Sequence, residues 1–141
     1  MKRHILFIYV IAFIMLAMGG SIYLLFRNEV IFTSWVSDFF AANITKYDHI
    51  INPESFIGGI FLYSLADALW YGSLLLFELP LRSDNWYSRM MTIAVVILPF
   101  LLELLQFLGI ISGVFDWNDI LIYLLTLITI SLCVRKLYYN F

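Results

Sequence analysis

Residues 57–79, IGGIFLYSLADALWYGSLLLFEL, decide the fold. A helix needs about 20 apolar residues to cross the hydrocarbon core of a bilayer, and this run is long enough. Near its middle stands Asp67, and the run holds no Lys, Arg or His to neutralise it. A second apolar run, Met90 to Ile111, carries Glu103 in the same way. An ionisable side chain inside a membrane span costs free energy, so it marks a functional site by default.

Two further runs of spanning length flank these, Ile5 to Phe26 and Trp117 to Val134. Of the 141 residues 63% are hydrophobic and 13% charged, and the mean hydropathy is +0.94. A soluble domain of this size cannot bury so much apolar surface. The reading is an all-α integral membrane four-helix bundle, with residues 1–141 forming a single domain. Lys2-Arg3 ahead of an apolar stretch and the small residues of Ala17-Met18-Gly19 imitate a signal peptide. The run is too long for an h-region, so an uncleaved span is expected. Cys133 is alone, which excludes an internal disulfide. The net charge of -2 points to no nucleic acid.

Charge placement sets the expected orientation. With four spans both termini share one side, together with Lys2, Arg3, Arg82, Arg89, Arg135 and Lys136. The opposite side holds Arg27 and Lys46 against six acids: Glu29, Asp38, Asp48, Glu54, Asp116 and Asp119. By the positive-inside rule the termini are cytoplasmic. The long outer connection, residues 27–56, places Ile31, Trp35, Phe39 and Phe40 at helical spacing. An amphipathic helix at the interface and a loop covering the bundle explain that pattern about equally well. Asn43-Ile44-Thr45 fits a glycosylation acceptor, a weak three-residue pattern. Trp86, Tyr87, Tyr138 and Tyr139 fall at span ends as aromatic-belt residues.

The polar positions within and beside the spans form a pattern. In the second span Tyr63, Asp67 and Tyr71 are spaced by four and share a helical face, with Ser64 able to join them. Their hydroxyls are suited to bond the carboxyl group. In the third span Glu103 and Gln106 share a face, and Pro99 frees a carbonyl near Val95, favouring a kink. Packing alone is an equally good account of Pro99. Asp116 or Asn118 suits the N-cap of the fourth helix, and capping is the simpler account of one Asp there. Asp116, Asp119 and Tyr123 share a face that can continue the Glu103–Gln106 face across the turn. The expected result is an acidic seam opening outward, formed by Asp67, Glu103, Gln106, Asp116 and Asp119. Its acids are protonated, solvated in a cavity, or paired with a cation from outside the spans.

Other chemistries lack their residues. No His lies within a span, so common zinc sites are missing and no metal or cofactor is expected. Ser-His-Asp and Cys-His arrangements are unsupported. Gly19-Gly20 and Gly58-Gly59 read as close helix contacts.

Glu103-Leu104-Leu105-Gln106, followed by a turn and Phe115-Asp116-Trp117-Asn118-Asp119, resembles the VanZ-like family of small four-span membrane proteins. That family's pattern is Glu-x-x-Gln, an outer turn, then Asp-x-x-Asp opening the last span. The chain differs from it in having Ser112-Gly113 where an Arg is usual, and Tyr123 and Thr126 where Asn and Gly are usual. Leu65-Ala66-Asp67-Ala68-Leu69-Trp70 is similar to a segment of four-span proteins from Bacteroidetes-type bacteria. The resemblance covers about the last 80 residues. It implies a bacterial cytoplasmic membrane, a link to glycopeptide resistance, and Glu103, Gln106, Asp116 and Asp119 as the family's polar positions.

The leading functional expectation is a non-enzymatic binding or accessory protein. It would receive a membrane lipid, a lipid-linked or cationic ligand, or a basic residue of another membrane subunit. Its expected site residues are Asp67, Glu103, Gln106, Asp116, Asp119, Tyr63 and Tyr71. A structural subunit of a larger complex and an acid-base enzyme acting on a lipid-linked envelope substrate are the alternatives.

Overall fold

The computed structural model describes residues 2–26, 39, 47, 52, 55–81, 83–111 and 114–139. The described residues form helices and turns with no strand. Four helices are long and apolar enough to cross a membrane. Helix α1 is Lys2–Phe26. Helix α2 is continuous but built in pieces: Phe56–Gly59, a π-helical segment Ile60–Leu65, and Ala66–Glu78, closed by a 3-10 turn Leu79–Leu81. Helix α3 is Trp86–Phe107 and α4 is Trp117–Tyr139.

The helices run up, down, up and down. At one end Ile8 and Ala12 of α1 pack with Leu76 of α2 and Val134 of α4. Towards the other, Ile22 packs with Leu62 and Ala66. The Thr92 hydroxyl donates to Glu78 Oε1 at 2.9 Å, tying the end of α2 to the start of α3. The start of α1 and the end of α4 therefore lie at one end, the basic end. The end of α1, the start of α2 and the end of α3 lie at the other, the acidic end. A third cluster, Tyr71, Leu75 and Tyr123, joins α2, α3 and α4 through Phe100 and Val96. Helix α2 touches all three of the others and is the axis of the bundle.

Small residues allow this close packing. A Cβ on Gly19 would stand 3.3 Å from the Ala66 carbonyl and 3.3 Å from Leu69 Cβ. A Cβ on Gly72 would meet Met15 Cε at 2.6 Å. The expected helix contact therefore holds for Gly19 and extends to Gly72, but Gly20 faces open space. Gly58 presses on the chain itself, at the Asn52 carbonyl and Ser55.

The third span differs from its expected bounds of 90–111. It begins at Trp86 because Asn85 caps it, its side chain accepting the Ser88 N–H at 2.7 Å. It ends at Phe107 because Gly109 turns left-handed, with φ 67°. The Gly109 N–H donates to the Gln106 carbonyl and the Ile110 N–H to the Leu105 carbonyl, each at 2.9 Å. That pair of bonds is a Schellman stop. Ile110 and Ile111 are apolar but belong to the turn. The connection expected to carry an interfacial helix lies outside the described residues except for Phe39, Tyr47, Asn52 and Ser55, as does the Asn43 acceptor pattern. Trp86 and Tyr87 are exposed in the first turn of α3, as a belt requires.

Candidate functional site

A cavity of about 730 Å³ opens at the acidic end, between the start of α2 and the start of α4. Asp67, Asp116 and Asp119 line it, with Tyr63, Ser64 and Asn118. Ile60, Val114, Leu121 and Ile122 supply an apolar part of the wall. Of the five residues of the expected seam, Asp67, Asp116 and Asp119 share this lining. Glu103 and Gln106 do not line the cavity.

Asp67 is buried, with 7% of its surface exposed. It sits one residue past the start of the α-helical part of α2, directly after the π segment. Its Oδ1 accepts the hydroxyl of Tyr23 from α1. Gly19, one turn earlier on α1, lets the two helices approach closely enough for that bond. The Tyr23 contact was not legible as such, although a Tyr near the end of an apolar span carries a polar tip that needs a partner.

The expected face Tyr63–Asp67–Tyr71 divides. Tyr63 lines the cavity with Asp67 and is 41% exposed. Tyr71 is fully buried and does not bond Asp67: its hydroxyl donates to the Val96 carbonyl on α3 at 3.0 Å. Pro99 lies close to this bond on α3. Its missing N–H leaves the neighbouring Val95 carbonyl without its helical donor, and its ring disturbs the adjoining turn. Pro99 is itself buried in the packing. Tyr71, Phe100 and Tyr123 form an edge-to-face cluster with centroids 5.6–6.4 Å apart. Tyr123, 6% exposed, lies within electrostatic range of Asp67, Asp119, Tyr23 and Glu103. It is buried in the core with Tyr71 and Leu75.

Asp116 is the N-cap of α4. Its Oδ1 accepts the Asn118 N–H at 2.8 Å, the usual capping geometry. Its own N–H donates to Glu103 Oε2 at 3.4 Å. Glu103 is 4% exposed. In a capping box that backbone donor is satisfied by the residue three places on, within the same helix. Here the acceptor comes from α3, and Asp119, which holds that third place, lines the cavity instead. Gln106 is half-buried and its backbone carbonyl takes part in the Schellman stop.

Among the described residues no group of three or more His, Cys, Asp or Glu has the arrangement to hold a metal ion. The wall offers three carboxyl groups, the hydroxyl and amide groups of Ser55, Tyr63, Ser64 and Asn118, and an apolar remainder.

No family model matches this chain, and no curated protein or solved structure matches it.

Proposed function

We propose that this chain is a non-enzymatic membrane binding or accessory protein whose cavity receives an amphiphile with a cationic head group. The observation that carries the reading is the composition of one cavity wall. Three carboxyl groups, Asp67, Asp116 and Asp119, share it with Ile60, Val114, Leu121 and Ile122. Carboxyl groups within a few ångströms of a cation attract it far more strongly in a poorly solvated cleft than in water. Apolar side chains beside them suit the chain that carries the head group. Six of the eight basic residues of the sequence fall toward the opposite end, which by the positive-inside rule supports an outward-facing cavity. The Glu-x-x-Gln and Asp-x-x-Asp spacing of the VanZ-like family accords with a bacterial cytoplasmic membrane.

Titration of the purified protein in neutral detergent with dodecylamine and with dodecanol tests this. The amine should bind about tenfold or more tightly than the alcohol, a difference of about 1.4 kcal/mol. Asp67→Asn and Asp119→Asn should each remove most of that preference. Equal binding of the two probes refutes the reading.

A further inference from the structure

Glu103 is the more deeply buried of the two intramembrane acids, yet it stands behind the cavity wall. Its carboxyl group meets a backbone donor, the N–H of Asp116, across the turn that links α3 to α4. That turn is set from both sides. On the α3 side the Schellman stop ends the helix at Phe107 and sends the chain off at Gly109. On the α4 side Asp116 caps the helix through Asn118. Glu103 joins the two sides, being one helical turn before the stop and bonded to the cap.

We infer that Glu103 is a positioning residue, whose carboxyl group holds the Asp116 backbone and thereby fixes the first turn of α4 as the mouth of the cavity. The residues fixed in this way, Asp116, Asn118 and Asp119, are all cavity lining. An N–H···O distance of 3.4 Å is long, so the hold depends on reach more than on charge. An amide oxygen at the same position accepts the same donor, because an N–H needs only a lone pair facing it. A carboxyl group one methylene shorter does not reach it. The inference deepens the binding reading above and rests on it only for what the mouth admits.

The crossed pair Glu103→Gln and Glu103→Asp separates reach from charge, and both changes are small enough to preserve the bundle. Amide hydrogen exchange in detergent is read at Asp116–Asp119 and, as a reference for the fold, at Ala66–Glu78. Glu103→Asp should speed exchange at Asp116–Asp119 by up to about tenfold, as expected for loss of one partly buried hydrogen bond, with the reference segment unchanged. Glu103→Gln should change it by less than about threefold, the smaller effect of swapping one acceptor for another. Dodecylamine affinity should follow the same order, falling in Glu103→Asp and persisting in Glu103→Gln. The reverse order identifies Glu103 as a charge that acts on the ligand, and an equal response identifies a filler of space; either overturns the inference. If the wild-type protein binds no amine, the binding reading fails, while the exchange comparison still decides the role of Glu103.

Discussion

Tyr23 of α1 donates its hydroxyl to Oδ1 of Asp67 on α2, and this bond joins the first helix to the floor of the acidic cavity. Removing it leaves a buried carboxyl oxygen short of a donor. Tyr23→Phe should destabilise the protein by about 0.5–3 kcal/mol, the range for hydrogen bonds to neutral and charged acceptors. Chemical unfolding in mixed micelles, carried through a double-mutant cycle with Asp67→Ala, which removes the acceptor, should return a coupling of the same sign. Additive single effects would contradict the bond.

Gly19 and Gly20 are neighbours with opposite surroundings. A side chain on Gly19 meets the Ala66 carbonyl and Leu69, whereas one on Gly20 meets nothing within 4 Å. Gly19→Val should cost about 1–3 kcal/mol by overpacking. Gly20→Val should be close to neutral. Equal midpoints in thermal unfolding would show that α1 and α2 do not approach closely at Gly19.

Asp116 and Asp119 differ in what they hold. Asp116→Ala removes a helix cap and should lower stability by about 0.5–2 kcal/mol, with Asp116→Asn restoring most of it. Asp119→Asn keeps the size of the side chain and removes one cavity-lining carboxyl group, so its larger effect should be weaker amine binding. Unfolding midpoints and titration on the same samples distinguish the two.

Gly109 takes a backbone conformation that a Cβ disfavours. Gly109→Ala should therefore cost about 1–2 kcal/mol, and Gly109→Asn less, since Asn tolerates that region better. The effect should appear as faster exchange of the turn amides before it appears in global unfolding.

The four spans were legible because hydropathy reports how far apolar surface extends. The limits of α3 were not, because caps set them. Asn85 starts the helix four residues before the expected Met90, and Gly109 ends it four residues before the expected Ile111. Asp67 and Glu103 were legible as costly groups, and Asp116 as a cap. What could not be read is which neighbour answers each acid. Tyr23 lies 44 residues from Asp67, and a contact at that separation leaves no local pattern. Tyr71 was misassigned for a related reason. Helical spacing gives the face on which a hydroxyl stands, but the Val96 carbonyl on another helix decides where its proton goes.

The π-helical segment of α2 gives that helix two phases. Closing a turn over one more residue shifts everything before it by about 100° relative to everything after it. A single-residue deletion between Ile60 and Leu65 is therefore a rotation in disguise. It would restore one continuous periodicity, leave Asp67 and Tyr71 in register with α3 and α4, and swing the entry of α2 to a different side of the bundle. Sequences of this kind should tolerate gaps at that point only in company with a changed connection from α1. A length difference there is a statement about direction, not about size.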